Sequence, residues 1–310
     1  MTKILPNKHR IPDTAQEMFS GSGRLPLLIS VPHGGYTVPG AVQSRVSLQF
    51  KDIFPDSDPC TREIFDFRDE VISFHDNDIA RAVIDLNRSI DDLPPHNPDG
   101  VVKSQTVMGT AVYHPGQAPD RSLIKDVLQR YYFPYHRKIA ESTRHPGLLC
   151  ALDCHSMLEF APETTPENDI ERPFICLSNG GDENGEGLEN ELSCSPDLLN
   201  LFADCLRLAF PEESDQIVLN TPFKGGYISQ AHSRELPWIQ FELNRRAYLQ
   251  EPWFNHRTFE VDEKRLAFLR KKIHLALGSF CEQVCSQLLP RYCDAMRHPD
   301  TFFADQKHHL

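Results

Sequence analysis

The sequence lacks the features of a membrane or secreted protein. No apolar run approaches the ~18 residues needed to cross a bilayer, and residues 1–16 contain no continuous apolar segment of the kind that signal peptides carry. The nine cysteines form no CxxC pair and are odd in number, so they fit small buried thiols better than a set of disulfides. We therefore expect a cytoplasmic protein with no membrane association.

Positive charge is also scarce. The chain has 32 Lys and Arg against 44 Asp and Glu, which gives a formal net charge of -12, and it contains no stripe of basic residues interleaved with aromatics. This charge repels phosphate backbones and argues against a nucleic-acid partner. An anionic substrate would need a few placed cations, or a metal ion, to create a local positive site.

Short apolar runs that end in polar loops are abundant in the chain. They predict buried strands over 27–31, 82–86, 148–152, 174–177, 217–219 and 238–241. Helical periodicity is predicted over 61–74, 121–143, 196–210 and 261–289, with a kink or break at Pro134. The alternation predicts an α/β fold with a mixed, largely parallel central sheet and helices on both faces.

The sequence contains no internal repeat or low-complexity linker, so we expect a single domain over residues 1–310. Residues 1–20 are interpreted as an N-terminal extension and 303–310 as a frayed tail. The connections 91–110 and 161–191 lack apolar periodicity, and we expect such long loops to line an active site.

Two predicted strands end in histidines. His33 is followed by two glycines, which let the backbone approach a ligand closely, and His155 follows Asp153 at a spacing that points both side chains the same way. The carboxylate can then orient the imidazole of a metal ligand. A histidine hydrogen-bonded to backbone is the alternative for His33.

Carboxylates offer a third ligand and a base. The sequence Asp56-Ser57-Asp58 precedes a predicted helix, so these residues are either N-capping residues or the source of a carboxylate that completes a His-His-carboxylate zinc site. Glu242 closes a predicted strand, and it is either an ion-pair partner of a nearby arginine or a general base with a raised pKa.

Two further motifs can contact a substrate. Asn87 and Arg88 follow Asp85 at the end of an apolar run, and the arginine fork suits a carboxylate unless it pairs with Asp85. The segment 224–228 is a Gly-Gly loop flanked by Lys224 and a tyrosine, which either closes over a ligand or forms a tight turn.

Seven motifs, in order over roughly residues 25–250, together resemble the N-formylglutamate amidohydrolase family, whose wider relatives include the zinc carboxypeptidases and aspartoacylases. The motifs are SVPHGG at 30–35, DSDPCTREIFDF at 56–67, DLNR at 85–88, PYH at 134–136, DCHS at 153–156, KGGYI at 224–228 and QFEL at 240–243. The resemblance implies a zinc-carboxypeptidase-like fold and hydrolysis of a small anionic N-acyl amino acid, with N-formyl-L-glutamate giving formate and glutamate.

The resemblance also implies roles for individual residues. One zinc ion per chain is expected on His33, Asp58 and His155, with Glu242 moving the protons and Tyr227 or His232 donating to the developing oxyanion. Substrate contacts are expected from Asn87, Arg88, Ser156, Lys224 and Arg245. The sequence departs from the family at Pro59-Cys60 and in the long acidic stretch 163–191, and both departures bear on which substrate is used.

Three alternatives accompany this interpretation. The same chemistry can act on another N-acyl amino acid or a peptide-like amide, or the fold can serve as a non-catalytic binding protein. A cysteine hydrolase that uses Cys154 beside His155 is disfavoured, because adjacent residues of a strand point to opposite faces.

Overall fold

We analysed a computed structural model of the chain, which describes residues 23–162, 169–187 and 191–288. The predicted N-terminal extension (1–20) and frayed tail (303–310) lie outside these residues, as do parts of the acidic stretch at 163–168 and 188–190. In the described part of the chain, no helix has both the length and the apolar character that a membrane span requires.

A six-stranded mixed sheet forms the centre of the fold, in the order β2-β1-β3-β6-β4-β5. The strands are β1 (Leu25–Val31), β2 (Val71–Asp76), β3 (Cys150–Met157), β4 (Ile175–Ser178), β5 (Ile217–Leu219) and β6 (Trp238–Asn244). The first four in spatial order are parallel, whereas β4 and β5 run antiparallel to β6. The predicted mixed, largely parallel sheet is therefore confirmed.

Helices cover both faces of the sheet, as predicted. They are α1 (Gly40–Gln43), α2 (Phe50–Asp56), α3 (Thr61–Ile64), α4 (Arg121–Val127), α5 (Phe133–Ser142), α6 (Pro196–Ala209), α7 (Tyr227–Ala231) and α8 (Glu263–Gln283). Short 3-10 turns follow at Pro211–Gln216 and Arg245–Ala247, and π-helical turns at Leu128–Tyr132 and Val284–Leu288. The first π-helical turn ends two residues before Pro134 and confirms the predicted interruption, because proline cannot donate the usual i→i−4 hydrogen bond.

Alternation along the strands divides the buried side chains into two cores. Leu27, Ile29 and Val31 of β1 pack in one core with α6 and α8, while Leu28 packs on the opposite face with α5 and α7. The second face also carries Trp238 and most of the polar side chains of the site.

Two predicted elements are wrong. Residues 82–86 are buried but form no strand, because Val83 and Ile84 donate locally to the Ala80 carbonyl and Asp85 donates to a loop carbonyl at Val101. The predicted helix over 61–74 ends after one turn at Ile64, and its second half is strand β2. Both halves of 61–74 present apolar side chains to the same core, which produces a helix-like spacing without a continuous helix.

A buried ion pair holds the loop 91–110 against the end of α2. The Lys103 ammonium is fully buried and lies 2.9 and 3.0 Å from the two carboxylate oxygens of Asp56, and 2.6 Å from Asp99. Breaking such a pair by removing one partner typically destabilises a fold by about 3–5 kcal/mol. The loop is therefore an integral part of the wall beside the carboxyl ends of the strands.

Candidate active site

Three parallel strands bring the polar residues of the site to one edge of the sheet. His33 follows the end of β1, His155 lies near the end of β3, and Glu242 lies directly opposite His155 on β6. Because the parallel strands end at the same edge, residues far apart in sequence meet there. Asp153 and Gln240 face each other two positions earlier, on the same face as His155 and Glu242.

His33, Asp58 and His155 form a buried cluster whose potential ligand atoms all lie within 4.8 Å of one another. The Asp58 Oδ2 atom lies 3.0 Å from His155 Nδ1 and 3.6 Å from His33 Nδ1. The three predicted ligand residues are thus brought together, with two imidazole nitrogens and a carboxylate oxygen facing one point. Among the described residues, this is the cluster with the geometry to hold a metal ion.

Carboxylates hold the outer nitrogen of each imidazole. Asp153 Oδ2 lies 2.9 Å from His155 Nε2, which confirms the orienting contact expected from their spacing. Asp85 Oδ1 lies 2.8 Å from His33 Nε2. Ser30, on the neighbouring strand, donates from its hydroxyl to Asp153 over 2.9 Å. This arrangement fixes the rings and directs both Nδ1 atoms inward, as in carboxylate–histidine–metal sites.

Glycine permits the close packing behind His33. A side chain at Gly35 would place its Cβ 2.1 Å from the backbone of Asp78, so only glycine fits there. The backbone of Asp58 donates to the His33 carbonyl over 2.9 Å, and the Ser57 hydroxyl donates to the Gly35 carbonyl over 2.9 Å. The histidine loop and the aspartate loop therefore form one unit.

Asp58, rather than Asp56, is the carboxylate that reaches the cluster. Asp56 is taken up by Lys103, and the residue before helix α3 is Cys60, with no side-chain cap, so the N-capping interpretation does not apply. Burial opposes ionisation of Asp58, but hydrogen bonds with His155 and His33 outweigh it and hold the pKa of Asp58 well below its usual value. The carboxylate is charged at neutral pH.

Buried carboxylates surround the two imidazoles of the cluster. Burial alone would lower the pKa of His155, yet the carboxylates of Asp153 and Asp58 raise it well above the usual value. Asp85 also stays ionised: burial opposes its ionisation, but His33 and Arg81 hold its pKa well below the usual value. A group of buried carboxylates around two imidazoles is an environment that favours a bound cation.

Glu242 lies buried beside the cluster. Burial, with a smaller contribution from the Asp58 charge, raises the pKa of Glu242 to about 7. Its Oε1 atom accepts a hydrogen bond from the Gln240 amide over 3.0 Å. A carboxyl group whose pKa lies near neutrality can both accept and return a proton.

Arg245 and Ser156 lie behind Asp58. Each of the three guanidinium nitrogens of Arg245 donates to protein oxygens: Nε to Ser156 Oγ over 3.1 Å, Nη1 to the Pro55 carbonyl over 2.7 Å, and Nη2 to Asp58 Oδ1 over 3.1 Å. Both residues are buried. These contacts leave the expected substrate roles untested; they show that Arg245 fixes the second oxygen of Asp58 and that Ser156 accepts from Arg245.

The other predicted substrate residues differ in their surroundings. Asn87 lies 3.2 Å from His155 Nε2 and accepts from the backbone of Ile228 over 2.7 Å. Arg88 pairs with Asp99 at 3.1 Å and lies 3.8 Å from Asp85, so the structural pairing considered from the sequence is present. Lys224 is exposed, and its ammonium has no ion pair within the described residues.

Tyr227 and His232 lie on helix α7 and directly after it, on the side of helix α5. His232 Nε2 is 2.9 Å from His136 Nδ1, and the rings stack with centroids 5.3 Å apart. Tyr227 packs edge-on against His136, with centroids 5.7 Å apart. Hydrogen bonds within the described residues join neither side chain to His33, Asp58, His155 or Glu242.

Sequence reasoning missed several residues of the site. The sequence offers Arg88 as an alternative partner for Asp85 and gives no sign that Asp85 contacts His33, nor does it single out Arg81, whose Nε donates to Asp85 over 2.9 Å. Asn244 follows Glu242 at a spacing of two on β6, so the sequence contains a signal that it lies on the same face.

The structure disfavours the cysteine alternative. Cys154 is fully buried on the face opposite His155, within the core formed by α6 and α8, and burial raises the pKa of its thiol well above the usual value. Such a thiol is a poor nucleophile.

The fold and site define a mixed α/β protein with a buried His-Asp-His cluster beside the buried carboxyl group of Glu242, at the carboxyl edge of the parallel strands. The sequence profile of the N-formylglutamate amidohydrolase family matches residues 25–249. The chain belongs to this family of amidohydrolases.

Individual relatives agree with this assignment. The chain is 30% identical to N-formylglutamate deformylase of Pseudomonas putida over 240 residues, which make up 74% of this chain and 84% of the relative. It is also 30% identical, over 243 residues and the same shares, to the Pseudomonas aeruginosa enzyme of that name.

Solved structures share the fold. N-formylglutamate amidohydrolase from Ralstonia eutropha superimposes with a TM-score of 0.66 at 20% identity, covering 84% of this chain and 94% of that one. A protein from Agrobacterium tumefaciens superimposes with a TM-score of 0.56 at 14% identity, covering 87% of this chain and all of its own.

Proposed function

We propose that this protein uses one zinc ion to hydrolyse N-formyl-L-glutamate to formate and glutamate. The observation that carries the proposal is the buried convergence of His33, Asp58 and His155 beside Glu242. The relatives support the proposal, because the family and the two Pseudomonas enzymes are named for N-formylglutamate.

The donor set fits a catalytic zinc site. Two histidines and one carboxylate leave a coordination position open for water or substrate, which is the pattern of hydrolytic zinc centres. The excess of buried carboxylates supplies the negative charge that a dication requires. When bound, zinc polarises the amide carbonyl and lowers the pKa of water, so that hydrolysis proceeds at neutral pH.

Glu242 moves the protons in this proposal. Its carboxylate accepts a proton from the attacking water and returns it to the amide nitrogen as the C–N bond breaks. Burial raises the pKa of Glu242 to about 7, and a carboxyl group with this pKa can both accept the proton and return it. Gln240 holds one oxygen of the carboxyl group and fixes its direction.

Residues around the mouth of the site hold the substrate. Asn87, Arg88 and Lys224 contact the substrate carboxylates, and Tyr227 or His232 donates to the oxygen that gains charge as the carbonyl is attacked. Arg245 acts through Asp58, because the contacts of its guanidinium are with the protein. Ser156 supports the Nε atom of that arginine.

The first test compares two variants of the site. Glu242→Gln keeps the size of the side chain but removes the base, so it should retain bound zinc and lose roughly 100-fold or more of kcat. His155→Ala removes a ligand and should lose both zinc and turnover. The measurements are formate release from N-formyl-L-glutamate and zinc content by mass spectrometry.

A near wild-type rate in Glu242→Gln would show that another group is the base. Zinc-loaded wild-type protein that releases formate from no N-formyl amino acid would contradict the proposed reaction. Release of a different acyl group at a higher kcat/KM would keep the chemistry and change the substrate.

A further inference from the structure

Arg172, near Glu242, stands out because its charge has no carboxylate partner among the described residues. Arg172 is half-buried, and its guanidinium makes no hydrogen bond or ion pair with any described residue. The neighbouring Glu171 pairs instead with Arg246, at 2.7 Å. Arginine is seldom buried without a partner, so this guanidinium has the properties of a binding group.

The backbone of Arg172 is fixed at the site by the strand that carries Glu242. Asn244 lies two residues after Glu242 on β6, about 7 Å along the strand and on the same face. Its side-chain amide donates to the carbonyls of Arg172 and Pro173, each over 3.0 Å. Burial lowers the pKa of the Arg172 guanidinium, whereas the nearby Glu242 carboxylate raises it.

An aromatic ring supports the guanidinium from one side. The central carbon of the Arg172 guanidinium lies 5.0 Å from the centroid of the Phe223 ring. The backbone of Phe223 is fixed in turn, because its carbonyl accepts a hydrogen bond from the Ser178 hydroxyl over 2.6 Å. Stacking limits the motion of the arginine and leaves the N–H groups at its edge available for a planar anion.

The other arginines of the site already have partners. Arg245 donates to Asp58, Arg81 to Asp85, and Arg88 to Asp99. Phe223 also begins the loop that runs through Lys224 to Gly226, which packs against Asn87 beside His155. Arg172 and Phe223 therefore lie at one end of this loop, and the contact with Asn87 lies at the other.

We propose that Arg172, stacked on Phe223, binds the side-chain carboxylate of the substrate and makes the enzyme selective for N-acylated acidic amino acids. The inference rests on the proposed hydrolysis of N-formyl-L-glutamate and names the residue that binds the substrate side chain. The net charge of -12 repels an acidic N-acyl amino acid, because such a substrate carries two carboxylates. Arg172 supplies the local positive charge that such a substrate needs to enter the site. A site built for a charged group discriminates against an analogue that lacks the charge, since its own polar group is then left unpaired.

The test compares kcat/KM for N-formyl-L-glutamate and N-formyl-L-glutamine, whose side chain has nearly the same shape but no charge. Wild-type protein should prefer the glutamate substrate. Arg172→Gln should lose about 10- to 100-fold of kcat/KM for N-formyl-L-glutamate, mainly through KM, and keep its rate with N-formyl-L-glutamine. Arg172→Lys should recover part of the preference.

Arg68→Gln is the matched control. Arg68 also lies over an aromatic ring, 5.1 Å from the centroid of Phe74, but it pairs with Asp66 at 2.6 Å and with Asp76 at 3.6 Å, so it has the carboxylate partners that Arg172 lacks among the described residues. This variant should leave the preference unchanged. Lys224→Gln is measured in parallel, because Lys224 lies next to Phe223 and, like Arg172, has no ion pair among the described residues.

Equal losses with both substrates in Arg172→Gln, or a selective loss in Lys224→Gln alone, would overturn the assignment of Arg172 while leaving the hydrolase intact. Equal rates of wild-type protein with both substrates would do the same. Failure of the zinc-loaded wild-type protein to hydrolyse either substrate would overturn the proposed function and this inference together.

Discussion

Each histidine of the cluster presents Nδ1 to the site because a carboxylate holds its Nε2. The contact between Asp153 and His155 could be predicted, since a spacing of two on a strand places both side chains on one face. Asp58 depends in the same way on Arg245, which holds its second oxygen. The cluster is therefore supported by residues that do not themselves face its centre.

Asp153→Asn tests this support. The amide has no negative charge and can present a donor instead of an acceptor to His155 Nε2, so the ring loses its fixed orientation. We expect zinc affinity to fall about 10- to 100-fold, measured by competition with a chelator. Asp126→Asn, at an exposed carboxylate paired with Arg130, is the control and should bind zinc normally. Unchanged affinity in Asp153→Asn would show that the carboxylate has no role in metal binding.

Long-range partners could not be predicted from the sequence. Asp85 holds His33 from a loop 52 positions away, where no strand or helix period indicates the direction of its side chain. Arg245 reaches Asp58 across 187 positions. Residue type and local spacing predict the candidate ligands and the candidate base, whereas their supporting partners depend on the tertiary fold.

Among the elements, the loop from Phe223 to Gly226 packs against Asn87, which lies next to His155 of the cluster. Gly226 lies against Asn87, and a Cβ there would be 2.2 Å from the Asn87 amide nitrogen. Asn87 cannot simply move aside, because it accepts from the backbone of Ile228 and lies next to His155. The loop and the start of helix α7 thus depend on a glycine at this position.

Gly226→Ala should push Asn87 out of place and lower kcat/KM by roughly 10-fold or more, since small misplacements near the reacting groups are costly. Gly278→Ala is the comparison, because Gly278 lies inside helix α8 with no atom within 4 Å of an added Cβ. It should keep full activity and gain about 0.5–1 kcal/mol of stability. The measurements are kcat/KM and the urea dependence of unfolding. Normal activity in Gly226→Ala would contradict the close packing described here.

Element prediction succeeded where an apolar run belongs to one helix or strand, and failed where tertiary packing decided the local structure. Strands β1 and β5 and helix α6 were predicted nearly to their ends. The run 82–86 is apolar because it is buried under helices, although it pairs with no strand. The sequence predicts helix in place of strand β2, because the apolar residues of β2 and those of α3 face the same core.

For the whole molecule, the sheet order explains why one edge carries the chemistry. Parallel β1, β3 and β6 bring His33, His155 and Glu242 together, while antiparallel β4 begins at that same edge and brings Arg172 to it. The order of strands, and the reversal of β4 and β5, could not be read from the sequence, because pairing partners are set by long-range packing. The motifs nevertheless identified the family.

The most direct test of the central claim combines metal content with turnover. Zinc per chain is measured by mass spectrometry, and formate release from N-formyl-L-glutamate is measured before chelation, after chelation and after zinc is restored. We predict stoichiometric zinc, loss of formate release when the metal is removed, and recovery when zinc is added back. Full formate release from metal-free protein, or failure of the protein to bind added zinc, would contradict the account.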